Sequence, residues 1–307
     1  MGKTAFVFSG QGAQSSGMGK SLFESYPELN ELVKEAEKSG VDVLKLVTQA
    51  SEEDLSKTIN AQPAIFAMSL AGYTILKNKG INISAMAGFS LGECSALAAS
   101  GVLSLKDGFT LIKERALIMQ KAAEESSGAM FAIIGLDNEK LEKICKEQEG
   151  FCEPVNFNCP NQTVIAGEEK AAINAADKAV KAGALKAVRL NVNAAFHTNL
   201  MLDASNSFKE KILTLEYNKP FCTLYSNVTG KPLDKDVNIP EYLVRQMTSA
   251  VKWQACIENM IKDGIDTFVE IGPGKTLTGL IRRIDRSVKT YNIYDEKSIN
   301  DFLTEIN

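Results

Sequence analysis

The chain has 307 residues, 45% of them hydrophobic and 23% charged, with a formal net charge of −4. That length can bury a large core without disulfide staples, and the composition is that of an ordinary soluble globular protein. The mild acidity supplies no clustered basic field for nucleic acid, and no apolar run approaches the ~18 residues of a membrane span. Met1 leads almost directly into Thr4-Ala5-Phe6-Val7-Phe8 with no signal-peptide pattern, so a cytoplasmic protein is expected. The cysteines, Cys94, Cys145, Cys152, Cys159, Cys222 and Cys256, include no Cys-x-x-Cys pair, and one histidine alone could join them. No metal site is expected, and all six are read as reduced thiols.

In chain order, residues 4–8 predict a strand that breaks into Ser9-Gly10-Gln11-Gly12-Ala13-Gln14. Helices are predicted at about 28–38 and 41–50. A longer apolar helix follows at 62–78, with Pro63 near its start and Gly80 just past its end. A strand at 83–88 enters Gly88-Phe89-Ser90-Leu91-Gly92, then come a helix to about Ala99 and an amphipathic helix at 105–124. Residues 129–192 then read strand 129–134, helix 138–148, strands 153–158 and 162–166, helix 168–182 and strand 186–192. That order, β-α-β-β-α-β, is ferredoxin-like. Further strands are expected near 221–227, 266–271 and 289–294. The simplest architecture is α/β: a mostly parallel sheet in a large unit, 1–125 with 197–307, and a small α+β unit inserted at 126–196. A cleft between the two is the expected substrate site.

The motif Gly88-x-Ser90-x-Gly92 lies between a predicted strand and a predicted helix, the context of a nucleophile elbow. Such a turn projects the serine oxygen and sets the next backbone N–H, that of Leu91, beside a reacting carbonyl. A serine nucleophile needs a base, and His197 is the only histidine. No acid stands out as its orienting partner; Asp203 is near in sequence but is expected on the outside of the next helix. Arginine is scarce beside lysine, yet Arg115 sits in a helix whose other basic residues are lysines. A planar, permanently charged fork suits a bidentate carboxylate contact. Two phosphate readings fail: Gly19-Lys20-Ser21 would need a glycine at Gln14 to end a Walker A loop, and Gly10-x-Gly12 meets Ser15 where a dinucleotide fingerprint needs a third glycine. The turn Gly272-Pro273-Gly274 reads as a helix-starting turn or as a second loop near the chemistry.

Taken together, these landmarks resemble the acyl-CoA:acyl carrier protein acyltransferase family, and within it the bacterial malonyl-CoA transacylases. The resemblance runs from Phe8-Ser9-Gly10-Gln11-Gly12-Ala13-Gln14 through Gly88-Phe89-Ser90-Leu91-Gly92-Glu93 to Arg115. It continues in Asn156-Phe157-Asn158, Thr163-Val164-Ile165-Ala166-Gly167, Ala195-Phe196-His197, Gln246, Val251-x-Trp253 and Ile271 through Leu280. It implies a hydrolase-like core with a ferredoxin-like insertion. It implies Ser90 as nucleophile, His197 as general base and acid, and the N–H groups of Gln11 and Leu91 as oxyanion hole. On the substrate side it places Arg115 against the malonyl carboxylate, Phe196 beside the base as a mark of malonyl selection, and Gln246, near which a backbone carbonyl orients the histidine. Phe89 departs from the family, many of whose members carry histidine there.

The implied reaction is ping-pong transfer of malonyl from malonyl-CoA to the phosphopantetheine thiol of an acyl carrier protein, supplying fatty acid synthesis. No cofactor is implied, since coenzyme A and phosphopantetheine are substrates. A monomer is expected, docking transiently and electrostatically to an acidic carrier. Arg282, Arg283 and Arg286, on one predicted helix, are either that docking surface or a solvated helix end. The rival readings are a serine thioesterase or esterase, a non-catalytic binding module, and a transacylase for a different acyl group.

Overall fold

The apolar run at 4–8 forms strand β1 (Lys3–Phe8) in the computed structural model, which describes residues 2–306. Phe6 and Phe8 enter one apolar cluster and Ala5 and Val7 another, so the strand is covered on both faces. That is the environment of a central strand in a parallel sheet packed between helix layers. The chain continues through α1 (Lys20–Ser25), α2 (Asn30–Lys38), α3 (Glu52–Ser56) and α4 (Thr58–Asn78) to β2 (Ala85–Gly88). Then come α5 (Leu91–Ala99), α6 (Leu105–Glu125), β3 (Gly128–Ile134), α7 (Asn138–Lys146), β4 (Cys152–Cys159) and β5 (Gln162–Glu168). After α8 (Glu169–Lys181) and β6 (Lys186–Arg189) follow α9 (Leu202–Ile212), β7 (Thr223–Tyr225), α10 (Ile239–Thr248) and α11 (Trp253–Lys262). The chain closes with β8 (Ile265–Ile271), α12 (Thr276–Ile284), β9 (Lys289–Ile293) and α13 (Glu296–Ile306).

The larger sheet has the order β7-β2-β1-β8-β9, and every neighbouring pair is parallel. Helix α4 is buried around nearly its whole circumference, and Phe66 meets Phe109 of α6 edge to face at 5.1 Å. The smaller sheet is antiparallel, ordered β4-β5-β3-β6, with Met130 opposite Ala166 and Ala132 opposite Val188. Its element order is the β-α-β-β-α-β expected from the sequence. Ala171, Ala175 and Ala179 of α8 are fully buried, and their small side chains allow the helix to lie close on this sheet. A backbone bridge ties the two sheets' surroundings together: Phe157 N–H donates to Val251 C=O at 2.9 Å, and Val251 N–H to Val155 C=O at 2.7 Å.

Several boundaries differ from the sequence reading. Helix α4 begins at Thr58, a full turn before the expected start, because Thr58 N–H is taken up by the Gln120 side chain at 2.9 Å. Pro63 therefore lies inside the helix. The predicted 41–50 helix is reduced to a short segment ending in a π-turn at Lys45–Gln49, and the short helices α1 and α3 were not anticipated. Strands β2, β6 and β7 are shorter than expected, since their outer residues leave the ladders. Arg286 lies beyond α12, so the three arginines do not share one helix. Arg283 donates to Gln162 of β5 at 2.6 Å and Arg282 to Thr290 at 2.7 Å, which ties both to neighbouring strands. Gly272-Pro273-Gly274 is a helix-starting turn: Glu270 accepts from the N–H groups of Leu277 and Thr278 at 3.0 and 2.8 Å, capping α12. Among the described residues no helix is long and apolar enough to cross a membrane.

Candidate active site

The turn from β2 into α5 is possible only with glycine at two positions. A Cβ on Gly88 would lie 1.9 Å from the Gly92 carbonyl carbon, and one on Gly92 would lie 2.1 Å from Phe8 O. Ser90, held between them, adopts φ 53° and ψ −105°, a region that strains a non-glycine residue by about 1–3 kcal/mol. His197 also has a positive φ, 65°. These two strained residues meet: Ser90 Oγ lies 2.8 Å from His197 Nε2. His197 Nδ1 lies 3.1 Å from the backbone oxygen of Gln246, which can only accept, so Nδ1 carries the proton and Nε2 is left as acceptor for the serine hydroxyl. Asp203 is exposed on α9 and forms no hydrogen bond with the ring; the Gln246 carbonyl does the orienting instead. Burial, with the charge of Arg115 as second cause, pushes the His197 pKa down to about 4, so the imidazole is neutral near pH 7.

Arg115, on α6, is 1% exposed. Its Nη1 donates to Gln62 Oε1 at 2.8 Å, its Nη2 lies 3.4 Å from Ser90 Oγ, and its Nε has no partner. Burial lowers its pKa, yet a guanidinium stays charged. Among the described residues no carboxylate lies within ion-pair distance of it. A buried cation without a counterion is costly, and one opening on a cleft is a receptor for an anion. Gln62 is held in turn by Gln11 and Met119, and Gln11 by Thr58 at 3.2 Å. Leu91 N–H, at the first turn of α5, and Gln11 N–H, in the loop after β1, form no hydrogen bond among the described residues. They are free to meet an oxyanion.

A cleft of about 330 Å³ joins these groups. Gln11, Ser90, Leu91, Arg115, Phe196 and His197 line it from the large-sheet side and the chain leaving β6, and Met130, Asn156 and Leu190 form the facing wall. Gln246 does not line it. Its carbonyl instead holds His197, and its Nε2 donates to Ser90 C=O at 2.9 Å. Phe89, the departure from the family pattern, packs edge to face on Trp253 at 5.7 Å. The sequence reading missed Gln62, Asn227, Glu93 and Tyr242. Gln62 left one signal, an amide inside a long apolar helix pattern, which burial obliges to find partners. Glu93 stood in the elbow motif with no role attached, and Asn227 and Tyr242 had no signal.

Glu93 lies in the first turn of α5 and is 3% exposed. Burial pushes its pKa up to about 7, against hydrogen bonds from Tyr242 and the Asn227 N–H that lower it. Between pH 4.5 and about 7 the folded protein holds a proton that the unfolded chain has lost, so this group's contribution to stability falls as pH rises through that window. A Glu93→Gln variant is expected to gain stability relative to the native protein on going from pH ~5 to ~8, by up to about 3 kcal/mol. Paired denaturant titrations at the two pH values check this; a difference independent of pH contradicts it.

A serine–histidine pair at a strand–helix elbow, facing free N–H donors, is the arrangement of enzymes that pass through acyl-serine intermediates. The chain belongs to the acyl transferase domain family, which matches residues 5–299. It is 37% identical over 303 residues to the malonyl CoA-acyl carrier protein transacylase of Bacillus subtilis, covering 97% of this chain and 96% of that protein. The crystal structure of malonyl CoA-acyl carrier protein transacylase from Clostridium perfringens superposes with a TM-score of 0.95 at 36% identity, covering 99% of this chain and 97% of that one. A type II polyketide-synthase acyl carrier protein in complex with its malonyl-transacylase gives 0.94 at 38% identity over 99% of each chain.

Proposed function

We propose that this protein moves the malonyl group of malonyl-CoA onto the phosphopantetheine thiol of an acyl carrier protein through a malonyl-Ser90 ester. The observation that carries the reading is Arg115, a buried guanidinium with no counterion among the described residues, 3.4 Å from the serine oxygen. A malonyl thioester is the acyl donor whose free carboxylate meets that cation while its carbonyl lies over Ser90. His197 takes the serine proton as the Oγ–C bond forms, and the N–H groups of Gln11 and Leu91 hold the tetrahedral oxyanion. As the C–S bond breaks, the proton passes to the coenzyme A sulfur. The carrier thiol then attacks the ester, giving its proton to His197, which returns one to Ser90 Oγ. Binding of the carboxylate also offsets the Arg115 charge that depresses His197, so the substrate raises the basicity of its own catalyst. No step calls for electron transfer or an external Lewis acid. The 126–196 insertion, in this reading, supplies the wall of the cleft facing Ser90. The relatives support it by their names, and the carrier-bound structure supports the partner.

Intact-protein mass spectrometry after mixing with malonyl-CoA tests it. A malonyl adduct is expected on the native protein and absent from Ser90→Ala, and added holo-carrier should remove it. Discharge should slow at high salt if docking at the Arg282, Arg283 and Arg286 surface is electrostatic; indifference to salt removes that part. An adduct lost only to water identifies a hydrolase, and no adduct with binding intact identifies a binding module.

A further inference from the structure

The ladder between β2 and β7 pairs Ala85 with Thr223, Met86 with Leu224 and Ala87 with Tyr225, and then stops. Two residues further on, where the elbow begins, the Asn227 side chain takes over the work of a strand. Its Oδ1 accepts from Ser90 N–H at 2.8 Å and its Nδ2 donates to Gly88 C=O at 2.7 Å. The backbone N–H of Asn227 donates to Glu93 Oε1 at 3.1 Å, and the Tyr242 hydroxyl donates to the same oxygen. On the far side of Ser90, Gln246 Nε2 donates to its carbonyl, which also aims the Leu91 N–H of that same peptide unit. Both peptide units flanking Ser90 are thus held by side chains remote in sequence.

We infer that Asn227 is a positioning residue for Ser90, and that with Glu93 fixing it and Gln246 opposing it, it keeps the strained serine aimed at His197. The inference rests on the reading of Ser90 as nucleophile. A non-glycine residue at φ 53° persists only where its surroundings over-determine it. Relaxation of the Ser90 backbone would swing Oγ off the 2.8 Å contact with Nε2, and a displacement of about 1 Å costs about 10²-fold in rate. The binding of malonyl-CoA, centred on Arg115, is untouched by Asn227, so the loss should fall on the rate and not on KM.

The experiment compares native protein, Asn227→Ala and Asn227→Asp by the rate at which a fluorophosphonate probe labels Ser90, read by intact mass, with KM for malonyl-CoA measured alongside. Asn227→Ala is expected to slow labelling about 10²-fold with KM unchanged. Asn227→Asp keeps the shape and the acceptor for Ser90 N–H but, when ionised, turns a second oxygen on the Gly88 carbonyl. Its labelling rate relative to native should recover as pH falls and the carboxyl regains a donor proton. The groups around it, Glu93 of α5, Tyr242 of α10, Cys256 of α11 and, across Ser90, His197 at about 4, are shared with the native protein, so the ratio taken above pH 4 reports residue 227. Labelling of both variants at the native rate overturns the inference, as does an Asp variant equally slow at every pH, which marks a merely structural role. A native protein unlabelled at Ser90 overturns the nucleophile reading itself.

Discussion

Replacing His197 with alanine is expected to slow acylation of Ser90 by about 10⁴- to 10⁶-fold, the loss typical when a serine's general base is removed. The chain holds no second histidine, and the described residues near Ser90 Oγ offer no other neutral acceptor, since its other partner, Arg115, can only donate. In the native protein kcat/KM for acylation, which reports the free enzyme before a carboxylate offsets Arg115, should be limited by a group titrating at about 4, because the base works only when unprotonated and burial holds its pKa there. The rate should therefore fall as pH drops through about 4, and an inflection at the ordinary histidine value contradicts the buried geometry. Removing the Arg115 charge takes away the second cause of the depression, so the acid limb should move to higher pH in an Arg115 variant. Acylation rates across pH at malonyl-CoA concentrations well below KM read both effects.

Arg115→Ala should cut kcat/KM for malonyl-CoA by about 10³-fold while changing acetyl-CoA far less. Selection here works through a penalty: an acyl group without a carboxylate leaves the guanidinium buried and uncompensated. Arg115→Lys should rescue poorly, because the planar fork reaches both Gln62 Oε1 at 2.8 Å and the serine oxygen at 3.4 Å, which a single ammonium on a flexible stem cannot do. Parallel acylation kinetics with the two donors decide the matter. Equal losses with both would show that Arg115 serves the chemistry rather than the choice of acyl group.

What could be read from the sequence was what local sterics impose. The elbow announces itself because any Cβ at 88 or 92 strikes backbone, so glycine is required in a fixed frame around the serine. His197 could be named because it has no competitor, and the ferredoxin-like insertion because its strand–helix alternation is local. The parts that stayed hidden depend on partners far along the chain. Asn227 acts on a residue 137 positions away, and the side chain of Gln246, a residue named through the family resemblance alone, on one 156 away. No local pattern distinguishes such an amide from any loop asparagine or helical glutamine. No orienting acid is legible for a related reason: the group that holds His197 is a main-chain carbonyl, which every residue possesses, and the family resemblance alone pointed to the neighbourhood of Gln246. The early start of α4 was likewise decided by a tertiary partner, Gln120, rather than by Pro63.

The backbone bridge at Val251 has a mechanical consequence. Strand β4, which carries Asn156 in the facing wall, is bolted to Val251 by two hydrogen bonds of 2.7 and 2.9 Å. Five residues upstream on the same short strut, the Gln246 carbonyl grips the histidine. Tilting the small sheet outward to admit a bulky thioester would pull on that strut and slacken the grip. Outward movement of that wall and the aim of the base are therefore mechanically linked through residues 246–251.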